Sequence, residues 1–282
     1  MKKQSFIVLL LFIFTCQIAS ANDSTKYALR TSATTVGIGL SNITNPYLSP
    51  FEYKGSKIRV QNNSRRFVKA TQNQISHSGQ ILFDLGNGKH PSGRNSLLFF
   101  NTHFMYGGNY HFRPAENLMI LGGGSWNLGV GGKYMGRNVN NPFSLDLYTN
   151  INVTAEAQYS FNIKNLDFRM QLGAVSPIFG CMFVPMQNIS YYELFMLNNA
   201  KNAFHFSSLH NKRAIYSYFN LDFLLKHHTW RFSIQNDYSK YSANDMVLKN
   251  QGLIFSIGTV VHLYTFKGKK EKIPTNFIHS YE

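Results

Sequence analysis

Cysteine is nearly absent from this chain. Of 282 residues only Cys16 and Cys181 are cysteines, and Cys16 lies in a segment expected to be removed. A single remaining thiol makes no intramolecular disulfide and builds neither a cysteine-ligated zinc site nor an iron–sulfur site. Stability must come from packing and hydrogen bonding. Charge is scarce too, with Asp, Glu, Lys and Arg at 15% against about 25% in ordinary soluble domains. Beyond the N-terminal segment no run of 18 or more apolar residues occurs, which excludes helical membrane spans. Proline is rare, and Pro46, Pro50, Pro91, Pro114, Pro142, Pro177 and Pro185 are read as falling between alternating runs, as strand pairing demands.

In place of charge there are aromatics, 15% of the chain with 16 Tyr and 24 Phe, and abundant Asn, Ser, Thr, Gln and Gly. Mean hydropathy is −0.21. That mixture suits a β-barrel with a polar lumen and an apolar exterior ringed by aromatics. The N-terminus supplies an export signal: Lys2 and Lys3, an apolar stretch from Phe6 to Thr15, and the small-x-small site Ala19-Ser20-Ala21. Cleavage after Ala21 is favoured over lipidation at Cys16, because Thr15 is bulkier than the residue lipidation sites prefer.

Periodicity is the main signal. From Leu145 to Asn162 the odd positions include Leu147, Ile151, Val153, Tyr159 and Phe161, and the even ones Asn150, Asn152, Thr154, Glu156 and Gln158. Alternate residues of a strand face opposite ways, so this segment has one apolar and one polar side. The pattern recurs at 166–172, 219–225, 230–235 and 253–263. A soluble sandwich would alternate as well, but its wet face would carry many Lys and Glu. The expected fold is therefore all-β: a transmembrane antiparallel up-and-down β-barrel of about 12 strands, within a range of 10–14. Residues 1–21 form the signal, 22–266 the barrel, and 267–282 a basic periplasmic tail. The implied location is the outer membrane of a Gram-negative cell.

The formal charge of +15 drops by the two lysines of the signal to +13. Nucleic acid is not an expected partner, because the basic residues are scattered. The one sizeable cluster outside the tail runs from Lys54 to Lys69, with Lys57, Arg59, Arg65 and Arg66. Basic residues at the rim are expected to meet lipid head groups and lipopolysaccharide, and others to offset Asp and Glu in the lumen.

Several motifs resemble those of a Bacteroidota family of unassigned function whose members are expected to be outer-membrane barrels. They are Tyr47-Leu48-Ser49-Pro50-Phe51-Glu52-Tyr53-Lys54-Gly55, Arg137-Asn138-Val139-Asn140-Asn141-Pro142 and Ser190-Tyr191-Tyr192-Glu193-Leu194-Phe195. Ser208-Leu209-His210-Asn211 and Leu221-Asp222 follow in the same order. The resemblance implies a fold and a location but no reaction. Asn-x-Asn-Asn-Pro is turn chemistry and suggests a rigid hairpin or a plug loop. Arg137, Tyr191, Tyr192 and Glu193, with Glu156, Asp167 and Arg169, are the candidates for a lumenal polar network or a ligand contact.

One catalytic constellation is considered. His205-Phe206-Ser207 puts His and Ser on one face, as in outer-membrane acyl hydrolases, with Asn211, Asn220 or Asp222 to orient the imidazole. Ser208 stands where those families place Asn. The glycines 122–124 and 129–132 are read as strand–turn–strand, without the helix a phosphate loop needs. His227 and His228 face opposite ways on a strand, so no metal is expected there, and no cofactor is expected elsewhere. A structural or partner-binding barrel serving an envelope protein is the expected role, with a small-solute or lipid-handling channel and an acyl hydrolase as alternatives.

Overall fold

The computed structural model describes residues 27–68, 71–138, 141–164, 166–187, 189–197, 200–225, 228–264, 277, 278 and 280. The expected signal peptide and most of the expected tail lie outside the described residues, as does His227.

The strands are β1 (Tyr27–Ala28), β2 (Arg30–Asn45), β3 (Ser49–Phe67), β4 (Ile75–Lys89), β5 (Ser96–Ala115), β6 (Leu118–Tyr134) and β7 (Phe143–Ile163). They continue as β8 (Leu166–Phe183), β9 (Phe204–Ser208), β10 (Lys212–Leu224), β11 (Thr229–Ala243), β12 (Met246–Leu263) and β13 (Phe277–Ile278). Each of β2 to β8 pairs antiparallel with the next, β10, β11 and β12 continue the meander, and β12 returns to β2 while β10 pairs with β8. The ring closes with ten strands. β9 sits on the far half of β8, from Phe179 to Phe183, beyond the stretch that β10 occupies. Pairing of Tyr216–Leu224 with Asp167–Val175 closes the ring and removes the strand edges along that half of β8 and β10.

Ten is the lower bound of the expected range. The strands are longer than a crossing requires: β7 alone has 21 residues, whereas 9–11 suffice. The glycines 122–124 and 129–132 make no turn and lie inside β6. Prolines correct the sequence reading as well. Pro50, Pro114 and Pro177 stand within β3, β5 and β8. Each lies at or beside a register irregularity: near Thr44/Asn45 across from Pro50, between Phe112 and Ala115 around Pro114, and opposite Ile151/Asn152 for Pro177. The irregularities release Pro50 and Pro114 from the ladder, so their missing N–H costs no paired hydrogen bond, while Pro177 stays opposite Asn152 beside the released Ile178.

The inside and outside of β7 fall as the alternation requires. Asn150, Asn152, Glu156 and Gln158 are buried in the lumen, while Ile151 and Val153 are exposed outside. The same outward apolar surface recurs around the ring in Ile38, Phe83, Phe100, Trp126, Phe232 and Phe255. On the exterior an aromatic belt runs from β7 to β11: Tyr159–Phe161, Phe161–Phe168, Phe168–Phe223 and Phe223–Phe232, with centroids 6.0, 5.3, 5.1 and 5.4 Å apart.

Both ends of the described chain meet at one end of the barrel. β1 pairs in parallel with β13, and Ala28 and Ile278 bury Phe67 of β3 there. The part of the expected tail that is described is therefore folded against the barrel mouth.

Candidate functional site

Inward positions on β3, β4 and β11 bring two bases and two acids together at mid-barrel. Lys57 Nζ lies 3.3 Å from Asp84 Oδ2 and 2.7 Å from Asp237 Oδ2. Arg59 donates through Nε and Nη2 to the two Asp84 oxygens at 2.7 Å each, and through Nη2 to Asp237 at 2.5 Å. The two cations are almost completely buried. Arg59 also donates to Gln235 Oε1 at 2.8 Å, which ties β3 to β11 across the lumen.

Towards the chain ends lie two further pairs. Arg65 forks onto Glu156 at 2.9 and 2.7 Å, and Glu156 also accepts from Gln158 and the Tyr218 hydroxyl. Arg231 forks onto Asp222 at 2.6 and 2.7 Å, and Arg169 sits opposite Asp222 in the β8–β10 register. Lys133 pairs with Asp146 nearer the other end. Lys57, Arg59 and Arg65 thus face the lumen rather than lipid head groups, because they occupy odd positions of β3. Arg66 faces outward.

Between the charge clusters is a polar cavity of about 160 Å³, roomy enough to hold several waters. Beyond it, at the end remote from the chain ends, the lumen turns apolar. Ile43, Tyr53, Leu97, Phe99, Met182 and Leu248, with Tyr47 and Leu48 of the β2–β3 turn, form one buried cluster. The barrel carries a greasy stopper at its far end and salt-bridge cross-ties beneath it.

Of the residues the sequence put forward for a lumenal network, Glu156, Asp167 and Arg169 lie on the inward face. Asp167 is exposed at the mouth and accepts from Asn162 Nδ2 at 2.8 Å. The other four sit at the far rim. Tyr191 opens a short helix, α1 (Tyr191–Met196). Its ring packs on Phe183 and Tyr47, and its oxygen accepts from the Leu145 N–H at 2.6 Å. Tyr192 points away and is exposed. Glu193 completes a capping box: its carboxylate accepts from Ser190 N at 2.8 Å while Ser190 Oγ accepts from Glu193 N at 3.2 Å. The Ser-x-x-Glu spacing encoded that helix start.

Burial holds the Tyr191 phenol up at about 12. A phenol whose folded pKa is raised above its usual value near 10 favours folding in the protonated form. Its contribution is full below about pH 10 and is lost as pH rises towards 12. The 184–203 segment should therefore become accessible to protease across that window in the wild type, and at lower pH in Tyr191→Ala. Unchanged protection up to pH 12 would refute the anchoring role of this ring.

His205 and Ser207 do share the inward face of β9, in register with Met182 and Gly180. Ser207 is buried and donates to Asn150 Oδ1 at 3.3 Å, the oxygen that also accepts from Lys212 Nζ at 3.1 Å. Asp222 lies near the opposite end of the barrel, locked to Arg231, and does not reach His205. Asn220 is bonded to Gln171 and Ser233. Asn211 caps its own turn, accepting from Ser208 N and donating to Phe206 O. No orienting acid stands beside this imidazole among the described residues, and no group of three metal-ligating side chains occurs among them.

The far rim holds an open cleft of about 520 Å³ between the β2–β3, β4–β5 and β6–β7 turns, lined by Phe51, Tyr53, His90, Arg94, Arg137 and Asn138. His90 stands edge-on to Phe51 and Tyr53 at 4.6 and 5.7 Å. Asn138 ties the β6–β7 turn to Leu48 O at 3.2 Å and caps Asn141 N. The cleft thus combines aromatic side chains (Phe51, Tyr53) with cationic ones (Arg94, Arg137), and it gathers the two motifs around Tyr53 and Arg137.

Residues 5–270 match a family described as a protein of unknown function, DUF3316. No curated protein matches the chain in sequence. Among solved structures, the chain is similar to the transport unit of the autotransporter AIDA-I from Escherichia coli, at 8% identity and a TM-score of 0.42, covering 91% of this chain and 97% of that one. It is also similar to the outer membrane protease OmpT from Escherichia coli, at 6% identity and 0.39, covering 86% and 99%. The translocator domain of the autotransporter NalP from Neisseria meningitidis is a third, at 7% and 0.33, covering 92% and 95%.

Proposed function

This chain belongs to the DUF3316 family of proteins of unknown function, and from that premise we propose that it is a closed, non-conducting outer-membrane barrel that engages an envelope partner at its far rim. The outward apolar surface and its aromatic belt support the membrane setting, since so much contiguous apolar area is untenable in water. The N-terminal signal supports export to it. Placing both chain ends in the periplasm puts the rim cleft on the cell surface, where Arg94, Arg137 and His90 suit anionic groups on a protein or on lipopolysaccharide.

The observation that carries the proposal is the double closure of the lumen, by the apolar stopper and by the Lys57–Arg59–Asp84–Asp237 cross-ties. It weighs against the channel reading. The separation of Asp222 from His205 weighs against the hydrolase. Purified protein should insert into planar bilayers without ohmic conductance, and a photo-crosslinker at Phe51 should capture an envelope component that one at Phe255 does not. Steady conductance of the wild type would overturn the closed-barrel role.

A further inference from the structure

The lipid-facing surface has one sector that does not fit lipid tails. On most strands the outward residues stay apolar down to the end where the chain termini meet, as in Tyr110 and Phe112 on β5, Leu221 and Phe223 on β10, and Val261 and Leu263 on β12. On β2, β3 and β4 the sequence changes character. Above, Val36, Ile38 and Leu40 face outward with Ile58, Val60, Ile81 and Phe83. Below them the outward positions read Arg30, Ser32 and Thr34 on β2, Asn62, Ser64 and Arg66 on β3, and His77 and Gly79 on β4. The register makes these one patch: Thr34 opposes Asn62, Ser32 opposes Ser64, Arg66 opposes His77, and Ser64 opposes Gly79. Apolar walls stand on both sides, Leu263 and Val261 opposite Arg30 and Ser32 and Tyr106 opposite Gly79.

The patch is a groove of about 270 Å³, lined by Arg30, Asn62, Ser64, Arg66, His77 and Tyr106. Gly79 and Gly108 leave its β4–β5 side open, since a Cβ at either meets nothing closer than 3.4 Å. Its neutral groups satisfy one another. Asn62 Nδ2 donates to Ser32 Oγ at 2.9 Å and to Thr34 Oγ1 at 2.8 Å, and Ser64 Oγ accepts from Arg30 Nη2 at 3.0 Å. Arg66 Nε donates to Ala28 O at 3.2 Å. His77 stacks at a tilt on Tyr106, 6.2 Å between centroids. The two guanidiniums are held in place by neutral acceptors, and no carboxylate forms an ion pair with either among the described residues. Two guanidiniums beside apolar walls, with no acid in the patch among the described residues, make the groove electropositive and suit an anionic group.

We infer that this groove binds the phosphodiester head group of an anionic phospholipid in the leaflet on the side of the chain termini, with Arg30 and Arg66 as the charged contacts and Asn62, Ser64 and His77 as hydrogen-bonding ones. The inference rests on the membrane setting proposed above, because only a lipid brings a phosphate to this wall with acyl chains that continue over Ile81 and Phe104. Tyr106 borders the boundary between head group and tails, the position that interfacial aromatics favour.

The test uses the full chain, folded in detergent and exposed to equal phosphatidylglycerol and phosphatidylcholine of identical acyl chains, with bound lipid counted by native mass spectrometry. The wild type should retain phosphatidylglycerol about tenfold over phosphatidylcholine. That comparison needs no variant, and equal retention overturns the site. Arg30→Gln/Arg66→Gln should abolish the preference, and Arg30→Lys/Arg66→Lys should keep part of it. Lys240→Gln/Lys249→Gln, on the outer face near the far end, should leave it intact. A loss as large in the lysine pair as in the arginine pair means diffuse charge attraction and overturns the groove. Displacement by inorganic phosphate as readily as by lipid means an ion site rather than a lipid site. A chain that is extracted from liposomes by alkali fails the membrane setting itself, and with it the groove. An inserted barrel without head-group preference fails the groove alone.

Discussion

Asp84→Asn and Asp237→Asn should each cost about 3–5 kcal/mol of barrel stability, and the double variant should not fold to a closed barrel at all. Removing one partner of a buried ion pair leaves an uncompensated charge, and that penalty exceeds what the pair itself contributes. Here two cations depend on the same two acids. Lys57 and Arg59 have side chains 2% and 5% exposed, with every ionic contact directed at Asp84 or Asp237. Neutralising both acids strands two positive charges on side chains that reach almost no bulk solvent. The contrast is Glu52→Gln. Its pair with Lys54 is 3.8 Å long and exposed, so its loss should change stability by less than about 1 kcal/mol. Urea unfolding in detergent, followed by the fluorescence of Trp126 and Trp230 and by the gel mobility of unheated samples, separates these outcomes. A midpoint for Asp84→Asn within the error of the wild type would mean that the cross-ties are dispensable. Replacing all four residues by apolar ones of similar volume is a different experiment. It should be near neutral for stability, which would place the value of the charges in keeping the lumen polar rather than in holding it together.

These contacts explain what the sequence could and could not say. Alternation assigns each residue of β7 to a face without reference to any partner strand, so inside and outside were legible one strand at a time. Pairing across the lumen is not local. Lys57 meets Asp84 at a separation of 27 positions and Asp237 at 180, and each of these charges alone is an isolated polar residue in an apolar–polar pattern. Which basic residues of β3 meet head groups and which offset acids was therefore not legible: the odd members turn inward to Asp84, Asp237 and Glu156, and Arg66 turns outward. Strand number was blurred because glycine and proline, good turn markers in soluble sheets, serve here within strands. Ser190-Tyr191-Tyr192-Glu193 contained the opposite lesson. Its Ser-x-x-Glu spacing marks a helix start, but Tyr beside Glu drew attention as a polar network.

The glycines of β6 have a task that only the structure reveals, and it yields the second large effect. The Tyr148 ring lies over Gly129, its cross-strand partner, so that a Cβ built on Gly129 would come within 2.2 Å of the ring's Cζ and 2.6 Å of both Cε atoms. Tyr218 covers Gly173 and Phe99 covers Gly86 in the same manner. An aromatic laid across a glycine restores the apolar contact that the missing side chain gives up, and it pins the register of the two strands. Above Tyr148 stands the Lys212 ammonium, 4.5 Å from the ring centroid, so glycine, ring and cation form a stack between the central cavity and the apolar stopper. Gly129→Ala must swing the ring out of this stack and should cost about 1–3 kcal/mol as overpacking. Tyr148→Ala removes the filler and should cost about 3–5 kcal/mol. The double variant decides the mechanism. If the alanine at 129 is harmful only because it meets the ring, then its cost should vanish once Tyr148 is gone, giving a coupling energy of about 1–3 kcal/mol. Additive losses in the same urea assay would instead mean that Gly129 is needed for its backbone and that the ring above it is incidental.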